Sequence, residues 1–313
     1  MLNKLSELGG VDILHVQHEY GIFGLSKSIL EAVLEARNER LAKKVVLTMH
    51  TVYHPFSGKD AAIKFQEMLN EVDAIIVHSY LQEFELQCQG INPSKIYRIP
   101  HGTLVNPYLG TPRHILARDL GLKTSNLVGT VLAIPGFLRR DKGIDIMLRA
   151  LEVLNSENFT LLIAGEPQGR EDLEVLEMIK SVKSGLNLVH LEKYLSSDEI
   201  LKIVALADAI ILPYRDLPGA YGVSDILHLS IGSLKPIIGT RVPRLVELYQ
   251  YAPRLTISPE DHLELADKIN WLVRNYDHAV AYMATLYGYA ARTQWYRMAR
   301  RHLELYRKLL KAN

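Results

Sequence analysis

Apolar residues come along this chain in two rhythms. Short runs without polar alternation are separated by stretches with the three-to-four-residue spacing of a helix. Residues 11–16, 45–48, 73–77 and 95–100 read as a first set of strands. Between them, 26–42, 61–69 and 81–87 read as helices, the first with Ile29, Val33 and Leu41 broadly on one side. Uninterrupted apolar strands suit a sheet covered on both faces, as parallel sheets with helical crossovers are. Residues 106–126 break the rhythm with Pro107, Gly110, Pro112 and Gly121, and read as a linker or surface excursion.

The alternation then restarts. Strands are expected at 130–134, 160–164, 188–191, 209–212 and 236–238, with helices between them. In the clearest helix, 144–154, Ile144, Leu148, Leu151 and Leu154 form one stripe. From about Pro259 onward the pattern is mostly helical. Repeated strand–helix units imply an α/β fold of two Rossmann-like, doubly wound parallel-sheet domains. The expected division is 1–115, 116–288, and a terminal helix at 289–313 that packs back on the first domain. That terminal stretch is basic and carries Trp295, Tyr296 and Tyr306. It reads either as a helix docking its aromatic face on the first domain, which is favoured, or as a peripheral membrane contact.

Composition narrows the function. A chain of 313 residues with 48% hydrophobic and 23% charged residues can bury two cores. Lys plus Arg number 36 against 35 for Asp plus Glu, which argues against a nucleic-acid binder working by counterion release. The lone cysteine, Cys88, excludes an internal disulfide and a thiolate metal cluster, and is expected to be a small, partly buried residue. No apolar run is long enough to span a bilayer, and none follows Lys4 as a signal peptide would require. A cytoplasmic protein is expected, with the inner membrane face as a further station.

Candidate chemistry gathers where strands end, because ligands of open parallel sheets bind at the carboxyl ends of strands. Gly136-Phe137-Leu138-Arg139-Arg140-Asp141-Lys142-Gly143 follows one strand and precedes a helix. Arg139 offers a planar fork and Lys142 a compact charge, so the loop reads equally as a pyrophosphate cradle or as a solvated turn capped by Asp141. Gly165-Glu166 follows the next strand and, taken alone, reads as a strand-ending turn. Tyr221-Gly222-Val223-Ser224-Asp225 opens a helix, as a phosphate-binding loop or an ordinary loop with Ser224 or Asp225 as N-cap. In the first half, His18-Glu19-Tyr20-Gly21, His50, His78 and His101 all follow strands, which favours a ligand cleft over isolated structural histidines. No HExxH-type spacing accompanies them, and no metal site is expected.

Taken in order, these pieces resemble the group 1 glycosyl transferases, a retaining family of the GT-B fold. The resemblance rests on His18 to Gly24, His50, Val77-His78-Ser79, Ile99-Pro100-His101-Gly102, the Gly136–Gly143 loop, Gly165-Glu166 and Lys235-Pro236-Ile237-Ile238. It covers nearly the whole chain, and the HEYGIFG stretch points to one branch. It implies two Rossmann-like domains facing a cleft, the second holding a nucleotide-diphosphate sugar, with a hexose moved to an acceptor with retention. No cofactor or metal is implied. Arg139 and Lys142 match the basic pair that holds the donor phosphates, and Gly165 and Glu166 line the nucleotide pocket. Tyr194 and Leu195 fall where the base is contacted, and His50 lies near the donor sugar in a positional role. The acceptor is left open among carbohydrate, lipid-linked and small-molecule classes.

Two departures stand out. The glutamate pair that many members carry before Gly-Lys-Pro falls on Tyr221 and Leu229, and the glycine of that element is Leu234. The first strand also matches a later strand of the family's first domain. A shortened first domain is therefore expected, as a fragment, a reduced protein, or a chain completed by a partner. A non-catalytic nucleotide-sugar- or partner-binding relative is the alternative function.

Overall fold

The computed structural model describes residues 1–154, 159–182 and 187–311. The chain divides into two compact units. One comprises Met1–Gly102, Leu217–Val223 and Trp295–Asn313, and the other Thr103–Asp216 and Ser224–Gln294. The divisions fall at Gly102 and Gln294, against the 115 and 288 expected, and the chain crosses between units four times rather than two.

In the first unit, β1 (Val11–His18), β2 (Ala42–Met49), β4 (Ala74–Val77) and β5 (Ile96–Arg98) form a parallel sheet in the order β1-β2-β4-β5. Strand residues alternate between its faces. Val45, Leu47, Met49, Ile75 and Val77 pack on one side against Leu30 and Val33 of helix Ser28–Asn38, Phe65 of Asp60–Glu67 and Leu86 of Tyr80–Cys88. Val46, Ala74 and Ile76 face the other way, onto Met298, Leu305 and Leu309 of helix Trp295–Lys311. The terminal helix thus covers the second face with Met298, Leu305 and Leu309, and Tyr306 packs beside them with its hydroxyl 2.6 Å from His15 Nδ1. Trp295 rests against Gly102 and His101 while 49% exposed, and Tyr296 is 65% exposed. Cys88, at the end of its helix, is exposed rather than partly buried.

A short strand, β3 (Thr51–Tyr53), continues from β2 and pairs antiparallel with β10 (Ala220–Gly222). Gln82 locks this pair to the sheet end. Its side-chain amide donates to the carbonyls of Met49, His50 and Tyr221 at 3.1, 3.0 and 3.3 Å.

In the second unit, β6 (Thr130–Pro135), β7 (Phe159–Ala164), β8 (Leu188–Leu191), β9 (Ala209–Leu212), β11 (Ile237–Thr240) and β12 (Thr256–Ile257) are all parallel, in the order β12-β11-β9-β6-β7-β8. The order reverses between β6 and β9, which makes the carboxyl ends of those two strands the switch point where ligands bind. Helix Ile144–Val153 buries Ile144, Ile146, Met147, Ala150 and Leu151. Leu148 is only partly buried and Leu154 lies beyond the helix, so the stripe turns slightly from the one expected. Residues 106–126 are not a linker. Helix Arg113–Asp119 puts Leu116 and Ala117 into the core, and Arg113 grips Asp208 through two bonds of 2.6 and 2.7 Å. Ile115, Leu116 and Ala117 in a seven-residue helix are too short a run for periodicity to outweigh the flanking prolines and glycines.

Candidate functional site

The second unit's switch point is built on close backbone approach. Gly143 has φ +65, and a Cβ there would lie 1.9 Å from the Pro213 carbonyl oxygen at the end of β9. Gly165 has φ +148, and its Cβ would lie 2.0 Å from the Gly136 oxygen. Only glycine lets the ends of β6, β7 and β9 come this close. The Glu166 carbonyl accepts from Leu138 N–H at 2.9 Å, pinning the loop to the end of β7.

Lys142 donates its ammonium to the Tyr214 hydroxyl at 2.7 Å and lies 4.0 Å from the centre of the same ring. Tyr214 is 1% exposed, and its hydroxyl is 3.3 Å from Ser224 Oγ. Ser224 in turn caps helix Asp225–Ile231 by accepting from Leu227 N–H at 3.2 Å. Arg139 donates to both oxygens of Asp141, at 2.8 and 2.6 Å, and to Gln168 at 3.2 Å. Arg244, just past β11, donates to the same carboxylate. Burial opposes the charge on Asp141, yet Arg139, Arg244 and Lys142 together hold its pKa below the usual carboxylate range. For Arg139 burial is again the opposing force, and Asp141 outweighs it, raising the guanidinium pKa. A cavity of about 200 Å³ opens beside Arg139, lined also by Arg140, Ile144, Asp145, Val175, Met178 and Arg215.

The remaining second-unit residues divide. Tyr194 is 64% exposed and its ring centre lies 5.9 Å from that of Phe137, so an aromatic pair stands at the carboxyl ends of β8 and β6. Leu195 is buried in the core and offers a ligand no side chain. Tyr221, Gly222 and Val223 fold into the first unit, with Gly222 opposite Thr51. Ser224 and Asp225 stay with Arg139 and Lys142 in the second.

In the first unit, His18 is completely buried, stacked between Phe23 and Phe65 and edge-on to Tyr20. Burial, helped by nearby His50, lowers its pKa to about 4, so it is neutral, and it serves the core rather than a ligand. Tyr20 is also core, donating to Gln66 at 3.2 Å. Glu19 is half-buried and accepts from Thr51 Oγ1 at 2.9 Å and from Gly21 N–H at 3.3 Å, holding the turn after β1. His50, His78 and His101 do form a row along the ends of β2, β4 and β5, with ring centres 5.0 and 5.6 Å apart. His50 Nε2 donates to Gln17 at 3.0 Å. Among the described residues no group of three or more His, Cys, Asp or Glu side chains converges as a metal site would.

Sequence reading missed Tyr214 and Arg244. Tyr214 directly follows β9, so the strand-end rule could have found it. Arg244 lies 103 residues from the Asp141 that it meets, and nothing local marks it.

Comparison with known proteins agrees with this fold. Residues 129–275 match the family model for glycosyl transferases group 1, and residues 1–104 that for glycosyltransferase family 4. The chain thus carries two glycosyltransferase domains, the second of group 1. A curated relative, the D-inositol 3-phosphate glycosyltransferase of Corynebacterium urealyticum, is 24% identical over 257 residues. The match takes in 78% of this chain and 58% of that protein, so the chain spans little more than half of its relative's length. Among solved structures, a glycosyltransferase from Rickettsia africae superposes with a TM-score of 0.77 at 18% identity, covering 100% of this chain and 80% of that one. Anabaena HepE in complex with UDP gives 0.76 at 15% identity, covering 97% and 81%. WaaG, a glycosyltransferase involved in lipopolysaccharide biosynthesis, gives 0.66 at 14% identity, covering 97% and 93%. These likenesses establish the GT-B class of fold for this chain. No helix among its described residues is long and apolar enough to cross a membrane.

Proposed function

We propose that this chain transfers a hexose from a nucleotide-diphosphate sugar to an acceptor hydroxyl with retention, without a metal cofactor. The bond from the sugar C1 to the diphosphate breaks and its electron pair leaves with the diphosphate. The acceptor oxygen bonds C1, and its proton ends on the departing group. The observation that carries this reading is the cationic end of the β6–β9 switch point. There Lys142 is held by Tyr214, and Arg139 and Arg244 share Asp141. Preorganised cations aimed where charge develops stabilise a leaving diphosphate. They supply the positive charge that a metal would otherwise provide. Anabaena HepE, whose fold this chain shares, is solved in complex with UDP and with UDP-glucose, which supports a donor of that kind. His50, at the end of β2 beside Gly222, is assigned a positional role near the donor sugar.

One observation favours a second reading. Arg139 is closed onto Asp141 and Gln168, so its fork is occupied before any phosphate arrives. A subunit that binds a nucleotide without turnover would tolerate that. Calorimetric titration with UDP, GDP and ADP, followed by donor-hydrolysis and transfer assays, separates the two. In the transfer reading Lys142→Ala lowers turnover by about 10²–10³-fold. Binding of one nucleotide with neither hydrolysis nor transfer would favour the second reading, and no binding of any of the three would end both.

A further inference from the structure

The terminal helix, Trp295–Lys311, has two faces. Met298, Leu305 and Leu309 press on the first unit's sheet. Opposite them, Tyr296, Arg300, Leu303, Arg307 and Lys311 follow at steps of three or four residues, which puts them in one line along the helix. All five are exposed, Leu303 to 51%. At 1.5 Å of rise per residue the line runs about 23 Å. Arg297, Arg301 and Lys308 flank it on one side.

The charge of this helix is unlike that of the rest of the chain. Six of its residues are Lys or Arg and one, Glu304, is acidic, which leaves 30 basic against 34 acidic residues elsewhere. Arg297 donates to the Tyr296 hydroxyl at 2.9 Å, Arg301 to the Arg98 carbonyl at 2.8 Å and Lys308 to the Tyr97 hydroxyl at 3.2 Å. These acceptors are neutral and leave the charge standing. Among the described residues no carboxylate pairs with any of the six cations. Their positive field therefore reaches into solvent over roughly a Debye length, about 8 Å at physiological salt.

Two exposed apolar side chains alone would be ordinary. Set in a line of uncompensated cations, Tyr296 and Leu303 fit a surface that is anionic outside and apolar just beneath. A phospholipid headgroup layer is such a surface, and Tyr and Arg side chains both settle at its boundary, ring or stem inward and polar end outward. A second copy of this chain would bring like charge against like, and a nucleic-acid backbone would leave Leu303 without an apolar counterpart.

We propose that the outer face of the terminal helix docks this protein on an anionic lipid surface, while the inner face stays on its sheet. The contact is electrostatic, with shallow insertion of Tyr296 and Leu303. It goes beyond the transfer reading, and its test uses no nucleotide, so either can fail without the other.

The full chain is sedimented with phosphatidylcholine vesicles, with and without about 30% phosphatidylglycerol. Binding is expected only with the anionic lipid, and it should fall steeply as salt rises from about 0.1 M to about 0.5 M. Each basic side chain near such a surface strengthens binding about fivefold, so Arg300→Gln with Arg307→Gln should weaken it by about tenfold or more. Tyr296→Ser with Leu303→Ser should weaken it by about fivefold or more at unchanged charge. Lys59→Gln with Lys64→Gln removes two exposed charges on the other side of the sheet and should leave binding within about twofold. All six sites are exposed, and circular dichroism checks that each variant folds. No binding to anionic vesicles at low salt overturns the proposal, as does equal weakening by the Lys59 and Lys64 pair. Retention of a duplex oligonucleotide without vesicle binding would assign the face to nucleic acid and overturn it as well.

Discussion

Replacing Tyr214 by phenylalanine isolates one atom of the candidate donor site. The ring stays, and with it the contact 4.0 Å from the Lys142 ammonium. The backbone carbonyl stays too, and continues to accept from Thr240 Oγ1 at 2.6 Å. Only the hydroxyl goes, and with it the 2.7 Å bond from Lys142 and the 3.3 Å contact with Ser224. A hydrogen bond to a charged group is worth about 1.5–3 kcal/mol. Lys142 is partly exposed and recovers some of that from water, so a stability loss of about 1–2 kcal/mol is expected in urea unfolding. Nucleotide affinity is the sharper readout. If Tyr214 holds Lys142 aimed at the end of β6, its loss frees a long side chain that binding must order again. That costs about 0.5–1.5 kcal/mol, or roughly a two- to tenfold weaker Kd. A double-mutant cycle with Lys142→Met should show coupling, since the two side chains touch. Tighter nucleotide binding in Tyr214→Phe would refute the reasoning, because Tyr214 would then compete with the phosphate for Lys142 rather than position it.

Three further outcomes follow from the same geometry. Gly143→Ala drives a Cβ to 1.9 Å from the Pro213 carbonyl at a left-handed φ of +65, so thermal unfolding should show a loss of about 3 kcal/mol or more, with nucleotide binding abolished. Leu234 stands at φ +56 with its side chain 51% exposed, where glycine carries no such penalty, so Leu234→Gly should raise the urea midpoint by about 0.5–1 kcal/mol in stability, and a fall would contradict it. His15 and His18 both have pKa values lowered to about 4, chiefly by burial, against about 6.5 in the unfolded chain. Their neutral forms therefore cost nothing above about pH 6.5, and stability is lost as pH falls from there toward 4, because the unfolded chain takes up the protons first. Allowing for solvent screening, each contributes about 1–2 kcal/mol, and urea midpoints that stay flat between about pH 7 and pH 4.5 would contradict both assignments.

What the sequence disclosed follows the range of the forces involved. The parallel strands were legible because burial on both faces demands uninterrupted apolar runs, and β2, β4, β6, β7 and β9 satisfy that locally. β3, β10 and β12 were not legible. They span two or three residues each, and β10 exists only through its pairing with β3, about 170 residues earlier. The glycines at 136, 143 and 165 were readable as loop chemistry, although what they admit is a neighbouring backbone in each of the last two cases. The histidines show the limit of strand-end reasoning most directly. His18 and His50 end adjacent parallel strands. Yet His18 turns into the ring cluster of Phe23 and Phe65, while His50 reaches Gln17 at the open end. Strand period alone assigns each side chain a face of the sheet, and the helix that covers that face decides whether it is core or site. The packing of helix Asp60–Glu67 brings Phe65 onto His18, whereas the ring that meets His101 is Trp295, which opens the terminal helix at the far end of the chain. That is why the ring partner of His101 could not be found by reading outward from the motif.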